Sequence, residues 1–229
     1  MTGKTHVAIG LAAVTNWGII QPKIIETYPN LLIHHELSAS VAIQFLTIVV
    51  AVWLGSLAPD LDQPGSTLSR DIGGPLGTTK ATALIGGMGL LYLSSHMPTL
   101  LARIPYLEMG FVTIGCILIM MAVLKHRGLT HSVLGMGLIG VAVYWGLHAM
   151  LIRGVSYAPS LLIPFLIGYG AHLIADSFTN SGVAPFYLPF VPITQQHWHF
   201  PLHIRTSTFA DTVVVRLGAL VLVVLGFLH

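Results

Sequence analysis

From Ser132 to Ile152 the chain carries no Asp, Glu, Lys or Arg, and from Tyr106 to Leu124 it carries only Glu108. Runs of this length and purity constrain the fold more than any motif. A bilayer span needs roughly 20 mostly apolar residues, and these stretches match that requirement. Charged residues make up 8% of the chain, against about 25% in a soluble domain. Such a surface cannot be solvated by water, so the natural solvent is a lipid bilayer. In lipid the backbone must satisfy its own hydrogen bonds, which selects helices for apolar runs of this kind. The sequence therefore predicts an all-α, polytopic transmembrane helical bundle, with residues 1–229 forming a single domain. A net charge of +2 gives no basis for a nucleic-acid partner. The one cysteine, Cys116, cannot form an intrachain disulfide and reads as a small core residue. The N-terminal stretch lacks a signal-peptide pattern and reads as a retained first helix.

About seven helical segments are expected, near Thr5–Ile20, Ser38–Leu57, Ala81–Leu101, Tyr106–Leu124, Ser132–Ile152, Ser160–Phe178 and Asp211–Leu228. Pro22 and Pro59 terminate the first two. Two long connections, residues 58–80 and 179–210, stand out because long ordered loops in compact folds tend to be functional. If the segments cross the membrane alternately, the chemistry gathers at one end. His6, the pair Asp60 and Asp62, the group His126, Arg127 and His131, the pair His172 and Asp176, and Asp211 all fall on the side where the chain starts. Lys4, Arg70, Lys80, Lys125, Arg127 and Arg205 lie on that side, against Lys23, Arg103 and Arg153 opposite, which favours a cytoplasmic site.

The residue types suit a divalent metal. His172 and Asp176 are four apart and share a helical face. Imidazole and carboxylate are both ligands for zinc. A carboxylate inside a bilayer costs about 2.5–3.5 kcal/mol on insertion scales, so it needs compensation. A hydrogen-bonded His–Asp pair at a helix end is the plainer alternative. Asp60 and Asp62 follow the helix-ending Pro59 and could face one cation, or cap a solvated turn. Spacing does not rank the two. Gly128 permits a turn that would bring His126 and His131 to one cavity. The guanidinium of Arg127 suits a phosphate oxygen, although a positive-inside stop signal would also place cations there. His6 alone reads as structural unless the bundle brings it to the others. Asp211 suits the helix dipole at the start of the last segment and is a weaker candidate ligand. The run H-W-H-F-P-L-H, residues 197–203, reads first as an interfacial segment and second as a lid.

Four pieces of the chain carry a resemblance: T-H at 5–6, G-S-L-A-P-D-L-D at 55–62, H-R-G-L-T-H-S at 126–132 and G-Y-G-A-H-L-I-A-D-S-F-T at 168–179. In this order the chain resembles the YdjM-like, membrane-bound metal-dependent hydrolase family of the bacterial inner membrane. The resemblance carries the family's polar set over to His6, Asp60, Asp62, His126, Arg127, His131, His172 and Asp176. Members commonly open the last helix with an acid, usually Glu, where this chain has Asp211. The family is distantly similar to zinc-dependent phospholipase C enzymes, which implies a multinuclear zinc site acting on a phosphoester.

The expected function is thus hydrolysis of a phosphoester in a membrane lipid or lipid-linked substrate. One or more divalent ions, zinc by preference, would be held by His6, Asp60, Asp62, His126, His131, His172 and Asp176, with Asp211 in support. Asp60 or Asp62 would serve as base and Arg127 as the phosphate clamp. Two other classes compete. A transporter or proton relay uses the same residue types but needs a polar path onward, for which His96 and His148 are the only visible steps. A scaffold would use the polar cluster merely to fix helix ends.

Overall fold

The computed structural model describes residues 1–16, 39–62, 80–96, 107–123, 128–152, 154–155, 158–201 and 204–228. All seven expected segments are helical. They are α1 (Gly3–Asn16), α2 (Ala39–Leu57), α3 (Lys80–His96), α4 (Leu107–Val123), α5 (Val133–Ile152), α6 (Leu162–Ser177) and α7 (Arg216–Leu228). No strand occurs among the described residues, only two isolated bridges. Three stretches are long and apolar enough to cross a membrane: Ala42–Asp60, Val133–Ile152 and Ala158–Ser177.

The distribution of side chains is inverted relative to a soluble protein. Leu46, Ile85, Ile174 and Leu220 are more than half exposed, while Ser56, Thr130, His131, His172 and Asp176 are buried. Apolar groups facing outward around polar groups facing inward is the pattern a bilayer solvent imposes.

Helix α6 is the hub, packing against α1, α2 and α5. Helix α7 packs on α1, and α3 with α4 forms a pair joined to the rest through α5. Small residues set the closest crossings. A Cβ on Gly55 would overlap the Phe165 carbonyl, and one on Gly168 would lie 2.5 Å from the Val52 carbonyl oxygen. Gly10 of α1 meets Ser56 at the same crossing. Such small residues let membrane helices approach backbone to backbone. Around them, Val14, Val52, Ile139, Leu147, Phe165 and Tyr169 form the apolar core. In the glycine-rich segment 86–89, Gly87 packs within the bundle, 2.7 Å from the Gly115 carbonyl of α4 at its would-be Cβ.

Two short 3-10 turns carry site residues. Pro59 has no N–H to donate to the α-helical ladder, and after Leu57 the chain tightens into the turn Ala58–Asp62, which bears Asp60. The turn Leu129–His131 precedes α5. Ser132 then caps α5, its hydroxyl accepting from the Gly135 N–H at 3.0 Å and donating to the Leu129 carbonyl at 2.6 Å. Gly135 must be small, since a Cβ there would strike that carbonyl. The cap thus fixes where His131 points.

Candidate metal centre

Four elements converge on one polar cluster. Helix α1 brings His6, the turn after α2 brings Asp60, the turn before α5 brings His131, and α6 brings His172 and Asp176. His6, His131, His172 and Asp176 are at most 1% exposed, and the Asp60 side chain is 14% exposed. Two overlapping groups are close enough to hold an ion: His6, His172 and Asp176, and Asp60, His131 and His172.

His172 is oriented by backbone. Its Nδ1 lies 2.7 Å from the Ser56 carbonyl oxygen. A carbonyl only accepts, so Nδ1 carries the proton. In the neutral ring the lone pair is then on Nε2, which is buried with no hydrogen-bond partner. Metal-ligating histidines are commonly oriented by this kind of second hydrogen bond.

The distances around that atom fit an ion. His172 Nε2 lies 3.5 Å from Asp176 Oδ2 and 3.8 Å from Asp60 Oδ1. His131 Nε2 lies 3.5 Å from both of those oxygens. Zinc bonds of about 2.0–2.2 Å in a tetrahedron put ligand atoms roughly 3.3–3.6 Å apart. Three of these four separations fall in that range and the His172–Asp60 one, at 3.8 Å, is slightly longer, so imidazole and carboxylate atoms here approach as ligands of a shared ion do. An imidazole nitrogen has one lone pair, so His172 Nε2 serves one ion only. Burial pushes the His131 imidazole below its ordinary value, and the neighbouring Asp60 and Asp176 carboxylates partly oppose that shift. A lowered value keeps the ring neutral near pH 7, as a ligand must be.

His6 engages the other oxygen of the same carboxylate. Its Nε2 is 3.3 Å from Asp176 Oδ1, and its ring stacks on His172 with centroids 3.8 Å apart. The Met1 amine also reaches Asp176 Oδ1 at 3.2 Å. His6 is therefore no isolated structural histidine, which was the reading its sequence position alone supported.

Asp211 is placed differently. It is fully buried in the π-helical turn Ala210–Val215 that opens the last segment. It belongs to neither His/Asp group. Its Oδ2 accepts from the backbone N–H groups of Ser207 at 2.8 Å and Thr2 at 3.2 Å. Arg216 completes this knot, donating to the Thr2 and Thr5 hydroxyls at 2.7 and 3.1 Å. The knot anchors the first turn of α1, the turn that bears His6.

His126, Arg127 and the side chain of Asp62 lie outside the described residues. Three contributors had no sequence reading. Ser56 acts through its carbonyl, Tyr169 donates its hydroxyl to the Thr130 carbonyl beside His131, and Arg216 binds the N-terminal threonines. Only Tyr169 had a visible signal, as the aromatic residue between two glycines just before His172.

The family model described as "YdjM inner membrane protein" matches residues 1–228. No curated protein and no solved structure matches the chain.

Proposed function

The chain belongs to the YdjM inner membrane protein family, and from that premise we propose that it is a multi-pass, metal-dependent hydrolase of a phosphoester in a lipid or lipid-linked substrate. The observation that carries this reading is the approach of His131 Nε2 and His172 Nε2 to Asp60 Oδ1 and Asp176 Oδ2, at 3.5–3.8 Å, in a cluster largely shielded from solvent. A fully buried carboxylate and a partly buried one facing three imidazoles are costly unless cations compensate them, and zinc suits the donor set. A bound divalent ion would supply an activated water at neutral pH and stabilise charge on a phosphoryl oxygen.

The chain's own residues have separable tasks in this reading. His131, His172 and Asp176 hold the ion, and His6 steadies Asp176 through its second oxygen. Asp60 is the most exposed of the five, which supports giving it the meeting with substrate and the removal of a proton from the attacking water. Arg127, in the H-R-G-L-T-H stretch, would hold the anionic phosphate oxygens. The distribution of Lys and Arg supports a cytoplasmic side for the site.

A relay or transporter finds less support. His96 bonds to Ser95 and to the Tyr92 carbonyl, and His148 bonds to the Tyr144 carbonyl, each within its own helix. Neither side chain extends the polar cluster through these contacts. The test is a screen of lipid phosphoesters with detergent-purified protein. Hydrolysis should stop with a chelator, return with zinc and disappear in Asp60→Asn. Zinc-independent turnover, or no turnover on any lipid phosphoester beside metal-coupled ion flux in liposomes, would reject hydrolysis by this centre.

A further inference from the structure

Between Ser177 and Ile204 the chain contains no Asp, Glu, Lys or Arg. Within this stretch, residues 184–197 form a loop closed at its neck by backbone pairing of Val183 with Trp198, at 2.6 and 3.0 Å. One side of the loop is anchored. Ala184 and Tyr187 are buried against Leu129, and the Pro185 carbonyl accepts from the Val133 N–H at 2.9 Å. The other side presents Phe186, Leu188, Phe190, Val191 and Ile193, which are 76, 44, 91, 40 and 77% exposed.

This apolar tip is built to hold its shape. The Thr194 hydroxyl accepts from the Leu188 N–H at 2.9 Å and reaches the Val191 carbonyl at 2.7 Å, closing the turn. Phe190 sits at φ 68°. A bulky residue in the left-handed region is a strained choice that needs support from its surroundings. Here the strained residue is also the most exposed large apolar side chain of the turn, so its presentation is not a by-product of burial.

We propose that residues 185–194 form an apolar foot seated in the headgroup and upper acyl region of the bilayer, beside the candidate metal centre. The occupant follows from continuity. The loop is bonded to Val133 at the start of the membrane-length helix α5, where Val133 and Leu134 are themselves exposed. On α6, Ile174 is 61% exposed two residues before Asp176. The exposed tip therefore extends the lipid-facing surface of two helices instead of standing apart from it. Uncharged segments with aromatic and aliphatic residues partition to this interface. The foot's roots lie two residues from His131, at Val133, and three from Asp176, at Thr179, whose hydroxyl donates to the Asp176 carbonyl at 2.7 Å. Seating it would hold the cluster at the depth of lipid phosphates. The substrate class that meets such a site is a bilayer-resident amphiphile, entering sideways rather than from bulk water. This placement rests on the membrane-spanning part of the proposed function and not on hydrolysis.

The test uses the full chain in lipid vesicles. Cys116 is the single cysteine, so a Cys116→Ser background accepts one environment-sensitive fluorophore at Phe190→Cys, at Val141→Cys within α5, or at Ser181→Cys at the loop's root. The expected result is blue-shifted emission at 190 and 141, quenched more strongly by phosphatidylcholine carrying a nitroxide high on its acyl chain than by a water-soluble nitroxide. Position 181 should show the reverse. If 190 behaves like 181 while 141 remains lipid-quenched, the foot is overturned and the membrane reading stands. If 141 is quenched from water, the membrane reading itself falls. If 190 is shielded from both quenchers, protein covers it, as in pairing with a second copy, and the lipid assignment is overturned.

Discussion

The Nδ1 atom of His172 donates to the carbonyl of Ser56 at 2.7 Å across the α2–α6 crossing. That single bond fixes the ring's tautomer and aims its Nε2 at Asp60 and Asp176. A site able to hold an ion in this way would depend on its ligand atoms and equally on how closely two helices approach.

His172 and Asp176, with His6, form one of the two groups close enough to hold an ion. The native protein should purify with bound zinc, and the double variant His172→Ala/Asp176→Ala should insert and fold but purify without it. Elemental analysis of both, prepared without chelators, reads this directly. Equal zinc in the two preparations would show that the ion, if any, sits elsewhere.

Gly168 tests the crossing. An added Cβ would lie 2.5 Å from the Val52 carbonyl oxygen and 3.0 Å from the Ser56 nitrogen. Gly168→Ala should push α2 away from α6 and cost about 1–3 kcal/mol of stability by overpacking. The displaced Ser56 carbonyl should also release His172, lowering zinc affinity by about 10–100-fold, as loss of an outer-shell partner does. Thermal melts and competition with a zinc-binding dye separate the two effects. Unchanged zinc affinity in a destabilised variant would mean the carbonyl does not orient the ligand.

Tyr169 acts one step further out. Fully buried, it donates its hydroxyl to the Thr130 carbonyl, in the turn that carries His131. Tyr169→Phe removes a hydrogen bond to a buried acceptor, a loss of about 1–3 kcal/mol. The melting temperature should fall and zinc affinity should weaken by less than in the His172 variant. A melt identical to the native protein's would show that the hydroxyl contributes nothing to holding the turn.

The helices were legible because lipid leaves the backbone few choices. Seven apolar runs became seven helices, and the i, i+4 spacing placed His172 and Asp176 on one face as expected. The convergence of His6, Asp60 and His131 on that pair is what alternating the runs across a membrane leads one to expect. What the sequence concealed lies in the backbone and in small residues. No pattern marks the Ser56 carbonyl as a partner for His172, and Gly55 and Gly168 are merely permissive until the crossing is seen. Arg216 belongs to no motif, and its role depends on a contact with Thr2 and Thr5 at the opposite end of the chain.

Asp211 offers the sharpest separation between a ligand and an anchor. As an acid opening the last helix it is a candidate metal ligand by sequence, whereas in the fold its Oδ2 accepts from the Thr2 and Ser207 N–H groups and its Oδ1 has no hydrogen-bond partner. An asparagine oxygen can accept the same two bonds, so Asp211→Asn should keep most of the stability and retain zinc. Asp211→Ala leaves two backbone donors without their acceptor and should lose about 1–3 kcal/mol or more, loosening the first turn of α1 and with it His6. For a ligand the two variants would instead behave alike, both losing the ion. A carboxylate that binds the ion loses it on conversion to the neutral amide, even when the fold is intact. Zinc content measured beside the melting temperature of each variant decides between them. A stable Asp211→Asn protein stripped of zinc would make Asp211 a ligand after all and displace the anchoring role.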